Sequence, residues 1–369
     1  MDLKAERELK HWQVAAFLDS HELDGVLLSR RCNFSWYTAG ARNYVGTADD
    51  VGNSTLLVTR ERAICLTTNI EATRLKDEDL AGTGIEVVRY SYADAADRTR
   101  TLAEAIGRRL VAADAPVAGV NSVRLPGEFN TLRWVLTESE IARYRALCSD
   151  AAAAIEGVAR RAEPGQTEDE LAGQIAYELR RRGCLAPVIL VAADARVERH
   201  RHPLPYGKRV EKYFMLVVGA ERGGLIASCS RLAWFGKLPD ELAARHRAVC
   251  TVDAALISAT RSGTTLGAIF AEAQAAYAAA GHADEWRYHH QGGSTGYLSR
   301  EVKAVPGETT LALENQAFAW NPSISGTKSE DTLLCRAGGP ELLAAPTGWP
   351  TIRAEWKGCA IARPAILER

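Results

Sequence analysis

The stretch from Arg199 to Gly236, RHRHPLPYGKRVEKYFMLVVGAERGGLIASCSRLAWFG, constrains the fold more than any other. Tyr213–Val218 and Leu225–Phe235 are apolar runs of strand length, and the connection between them ends in Gly-Gly. Two such runs joined this way predict a buried antiparallel hairpin. A loop carrying His200 and His202 leads into it. Pro203 and Pro205 fix φ at two positions and stiffen that loop. Histidine titrates close to neutral pH, so His202 on a stiffened loop is a candidate acid–base group, while His200 is expected to face solvent.

The rest of the chain alternates around this hairpin. Residues 3–19 read as an amphipathic helix and 24–29 as a strand. Asn33–Gly40 reads as an aromatic turn or short helix. The runs 54–59 and 63–67 predict a hairpin across Arg60-Glu61-Arg62. A strand is expected at 85–90, a helix at 94–113 and a last strand at 117–121. That alternation predicts a small α/β domain over residues 1–136. A second domain then covers 137–369. It opens with a helix at Thr137, where Glu140 completes a Thr-x-x-Glu cap, and Pro164-Gly165 ends that helix. Thr167 and Glu170 form the capping box of the next one, which ends at Gly183. Two further helices are expected at 240–260 and 265–280. Short strands follow at 310–312, 316–321 and 331–335, and the tail from Thr347 reads as irregular.

Composition narrows the class. The chain has 369 residues, 47% hydrophobic and 25% charged, with a formal net charge of -1. No basic field exists to hold nucleic acid or an anionic membrane. No apolar run is long enough to span a bilayer, and the charged N-terminus lacks the apolar core of a secretion signal. A cytoplasmic protein is expected. The eight cysteines stand singly, without the paired spacing of a zinc ribbon or the density of a disulfide scaffold.

Several motifs in the right order make the chain similar to the creatinase/prolidase, or pita-bread, superfamily. Asn33 to Gly40 is similar to an N-x-x-Y-x-x-G element of its N-terminal domain. TESEIARYRALCSDA, from Thr137, resembles its K-S-x-x-E-I-x-x-[LY]-R-x-A opener. EPGQTEDELAGQIAYELRRRG resembles its G-x-T-E-x-E-L element, and SEDTLL, from Ser329, its [RK]-x-E-D-T-[LV] element. The resemblance implies an N-terminal creatinase-type α/β domain followed by a catalytic-type domain with a curved antiparallel sheet, α+β in class, and a homodimer.

Active metallopeptidases of that superfamily carry two Asp, one His and two Glu as ligands to a metal pair. Aligned on the motifs, those places hold Val217, Ser228, Gly293, Asn321 and Glu330 here. One carboxylate among neutral neighbours is a poor site for two divalent cations, so no metal and no other cofactor is expected. The resemblance further places His202 and His289 on the substrate side of the pocket, with His290 as the neighbouring register. Arg300, Lys328 and Glu330 ring the emptied site, and Ser228 and Asn321 stand inside it. Arg42 stands where creatinase-type N-terminal domains reach toward a partner's active site; core roles are expected for Trp36 and Tyr37.

Creatinase itself does without the metal centre and uses a histidine at the His202 position. The implied function is a metal-independent hydrolase acting on a C–N bond of a small polar metabolite: an amidine, guanidine, lactam or N-substituted amino acid. His202 would be general acid/base. Glu330 would orient water or bind a cationic group, and Arg300, Lys328 and Arg42 would hold a carboxylate. Two alternatives stay open: a non-catalytic pseudo-peptidase that binds ligands or partners, and a metal-free lyase or isomerase.

Overall fold

The computed structural model describes residues 3–369. They divide into two units. One runs to Arg133 and adds Thr137–Glu140; the other comprises Trp134–Leu136 and Ile141–Arg369.

The first unit is built on a mixed sheet. Its strands lie in the order Glu86–Tyr90, Ala63–Thr68, Val51–Thr59, Gly25–Arg30, Val111–Ala113, Val123–Arg124. The hairpin predicted across Arg60–Arg62 is present, pairing Val58 with Ala63. The aromatic segment is a helix, Arg31–Thr38, in which Trp36 and Tyr37 are buried as expected of core residues. Two expectations fail here. The helix expected over 94–113 stops at Ile106, where Gly107 takes a positive φ, and Val111–Ala113 is a strand. Residues 117–121 make a turn, closed by a Val120 to Val117 hydrogen bond, and the last strand is Val123–Arg124.

Besides two two-stranded hairpins, the second unit holds two larger sheets. In one, Leu185–Ala193, Tyr213–Arg222, Leu225–Trp234 and Leu367–Glu368 lie side by side. The predicted hairpin is its centre. Its first strand continues four residues past Val218, so that only Gly223-Gly224, both at positive φ, make the turn. In the other sheet, Val302–Lys303, Gly292–Thr295, Ala317–Trp320, Asp331–Leu334 and Glu341–Leu342 pair in that order. Residues 310–312 form only a bridge, Thr265 to Leu311. The helices Glu138–Arg161, Glu168–Arg180, Asp240–Ala259 and Leu266–Ala279 lie where the sequence predicts. Thr167 and Glu170 form the full reciprocal box, which closes two otherwise unpaired backbone donors. The tail is not irregular. Thr351–Trp356 and Cys359–Pro364 pair as a hairpin across Lys357-Gly358, both at positive φ. No helix among the described residues is long and apolar enough to cross a membrane.

A chain of buried charges ties these pieces together. Arg231 reaches Glu156 at 2.7 Å and Asp331 at 2.9 Å. Arg363 reaches the other oxygen of Asp331 at 2.9 Å and Asp253 at 2.7 Å. Two helices, two sheet strands and the tail hairpin thus meet in one alternating row. Burial raises the carboxyl pKa of Asp253, opposed by Arg363 and by the Ser329 hydroxyl.

Candidate active site

The loop that carries His202 is pinned at both ends by side chains. Glu168, fully buried at the start of its helix, accepts the amide of Ala193 at 2.7 Å and that of Tyr206 at 2.9 Å, and also binds Arg196. Asp194, at a positive φ of 50°, accepts the amides of Glu211, Lys212 and Tyr213. Twelve residues separate Ala193 from Tyr206, and anchoring both ends removes most of the freedom of such a loop.

His202 then meets two other imidazoles. Its Nε2 lies 3.1 Å from His289 Nε2, and its ring centroid is 4.8 Å from that of His289 and 5.4 Å from that of His290. His289 and His290 are delivered by the connection between the turn Glu285–Tyr288 and the strand Gly292–Thr295. Both registers that the sequence left open therefore enter the site. On its far side His289 Nδ1 lies 3.0 Å from Ser323 Oγ.

The charged half gathers around Glu330, which directly precedes the strand Asp331–Leu334. Glu330, buried, receives Lys328 Nζ at 2.7 Å and the Ser230 hydroxyl at 2.6 Å on one oxygen, with Arg300 at 3.6 Å from the other. Burial opposes its ionisation, but Lys328 and Arg300 outweigh that and hold the carboxyl below its usual range. Two cations against one carboxylate leave a net positive charge. That charge acts on the histidines. Burial first, then Lys328, lowers the pKa of His202 and of His289. Burial and Arg300 bring His290 down to about 4. The rings are therefore neutral at pH 7.

The other predicted residues fall as follows. Ser228 and Asn321 are buried on the hairpin and just beyond Trp320. Arg42 lies in the N-terminal unit, its Nε 2.8 Å from Asp79. Cys229 is a buried thiol, as expected of the opposite strand face. Among the predicted site residues, three buried polar atoms have no protein partner: His290 Nδ1, Arg300 Nε and Asn321 Oδ1. Sequence reasoning missed Glu168, Ser230, Ser323 and Arg201. Only Arg201, next to His202, carried any signal of position.

What could hold a metal ion is limited. Val217 packs in an apolar cluster with Leu190, Met215 and Leu232. A side chain at Gly293 would place Cβ 2.0 Å from the Val302 carbonyl. Glu330 is already neutralised. Among the described residues, the His, Cys, Asp or Glu side chains whose donors converge are His202, His289 and His290, with ligand atoms all within 4.8 Å. Neutral imidazoles suit a transition-metal ion, but Lys328 and Arg300 stand close enough to repel one.

Residues 142–341 match the model of metallopeptidase family M24. Among solved structures, the chain is similar to an Xaa-Pro dipeptidase from Bacillus anthracis, with a TM-score of 0.76 and 20% identity over 92% of this chain and 98% of that one. The prolidase of Pyrococcus horikoshii superposes with a TM-score of 0.77 and 18% identity, covering 92% and 98% of the two chains. The N-terminal domain of the FACT complex subunit SPT16 from Cicer arietinum gives 0.66 at 12% identity, covering 93% and 97%. No curated protein matches the chain.

Proposed function

The chain belongs to metallopeptidase family M24, and from that premise we propose a hydrolase of this fold that cleaves a C–N bond by acid–base chemistry at His202. The donor set does not fit the family's metal pair. Of the five places that the resemblance assigns to ligands, one has a packed valine, one a glycine closed against backbone, and two have neutral Ser228 and Asn321. The fifth, Glu330, carries Lys328 on its own oxygen at 2.7 Å.

The observation that carries the reading is the pairing of His202 with His289 beside a buried Lys328–Glu330–Arg300 cluster. A neutral imidazole takes a proton from water as its oxygen bonds to the substrate carbon, and returns it to the nitrogen as the C–N bond breaks. The excess cation suits a carboxylate or a developing oxyanion more than a guanidinium. The substrate class is thus a small, carboxylate-bearing amide, lactam or amidine.

The SPT16 domain supports a second reading, a pseudo-peptidase that binds a partner, because it is similar in fold and is named as part of a complex rather than as a peptidase. A substrate panel separates the two. N-substituted amino acids and lactam acids should be turned over with kcat/KM about 10- to 100-fold above their decarboxylated analogues, the worth of one or two charge-assisted hydrogen bonds. Equal turnover of both sets would remove the carboxylate assignment. No turnover of any member would favour the binding reading.

A further inference from the structure

We infer that Arg201 and Ser323 are positioning residues that set the ring tautomer of His202, leaving its proton on Nδ1. Hydrogen-bond polarity runs in one direction along a chain of four side chains. Arg201 Nη1 lies 3.2 Å from Ser323 Oγ and can only donate. Ser323 Oγ has one other partner, His289 Nδ1, at 3.0 Å. If the serine accepted from both, its own proton would have no partner in a buried site, so the hydroxyl donates to His289 Nδ1. His289 is neutral, so its single proton is then on Nε2. That N–H points at His202 Nε2, 3.1 Å away, which must accept it. A neutral His202 accepting at Nε2 bears its proton on Nδ1.

The fold holds the start of this chain firmly. Arg201 also reaches Ser325 Oγ at 3.1 Å and is paired with Glu285, which in turn accepts from Ser325 Oγ at 2.9 Å. Tyr277 fixes the backbone of Ser323, its hydroxyl donating to the Ser323 carbonyl at 2.9 Å and accepting the Ser323 amide at 3.0 Å. Ser323 and Lys328 face each other across one two-stranded hairpin, so the piece that orients His289 also delivers the cation to Glu330.

The consequence concerns the same histidine as the proposed function, and deepens it. The resting His202 meets a substrate as a hydrogen-bond donor through Nδ1–H, polarising a carbonyl or imine. Its lone pair faces His289, so proton uptake from water at Nε2 requires His289 to release that bond. The side chains of Arg201 and Ser323 make no hydrogen bond to the His202 ring and reach it through His289.

Long-range nitrogen–proton correlation spectra of the histidine rings, taken on the whole protein at pH 7.5 without substrate, test this directly. Wild type should give the Nδ1–H pattern for His202 and the Nε2–H pattern for His289. Ser323→Ala should convert both to mixtures, and Ser323→Thr, which keeps the hydroxyl, should restore them. An Nε2–H pattern for His202 in wild type would overturn the inference, as would an unchanged pattern in Ser323→Ala. Tautomers are read without turnover, so a silent substrate panel and a failed tautomer assignment remain separate results.

Discussion

Replacing His202 by alanine should abolish turnover, by about 10²- to 10⁴-fold in kcat, the usual worth of a positioned acid–base group. The fold should survive. His202 is exposed and sits on a loop whose anchors are Glu168 and Asp194, neither of which it touches. Thermal unfolding of the variant should therefore match wild type within a degree or two, while the substrate panel falls silent. The pH profile gives a second reading of the same group. Burial and Lys328 lower its pKa, so the neutral, active form persists below the ordinary histidine range. The acid limb of the wild-type profile should fall at lower pH than that of a free imidazole. A variant that kept more than a tenth of wild-type turnover would take His202 out of the chemistry.

The largest stability effect is expected at Arg363. It is buried between Asp253 and Asp331. Arg363→Ala would leave two carboxylates facing each other in the interior with only Arg231 to share. Removing one partner from a buried ion pair costs about 3–5 kcal/mol, because the remaining charge is stranded. Arg363 ties the tail hairpin to the Asp331–Leu334 strand, so the loss falls on the sheet that carries Glu330. Urea unfolding should show a midpoint lowered by an amount equivalent to that energy, with an unchanged slope. A change below about 1 kcal/mol would mean that the row of charges is not a structural tie.

Much of this was legible in the residues, and for physical reasons. Caps announce helices because Thr167 and Glu170 close donors that no other local arrangement closes as well. The central hairpin follows from two apolar runs and a Gly-Gly turn. Where the reading failed, the signal was ambiguous. Leu110 to Ala113 continues the apolar period of the helix before it, and only Gly107 marks the break. The tail looked irregular because Trp and Pro hid a hairpin whose turn rests on Lys357, a residue seldom placed at positive φ. Within the site, the motif spacing brought His202, His289, Lys328 and Glu330 to their places. Ser230 and Ser323 stayed invisible, since a serine's partner is decided by three-dimensional approach and not by its neighbours in sequence. Glu168 read as an ordinary first-turn acid, yet two of its bonds are to amides 25 and 38 residues away.

The proposed function puts a proton-transfer site where the family's metallopeptidases have a two-metal centre. Metal content decides it most directly. The purified protein should be dialysed against excess Mn²⁺, Co²⁺ or Zn²⁺, freed of unbound ion, and measured by elemental analysis alongside its activity before and after chelation. Well under one ion per chain and turnover unchanged by chelator are expected. Two ions per chain, or activity that chelator removes and metal restores, would contradict it.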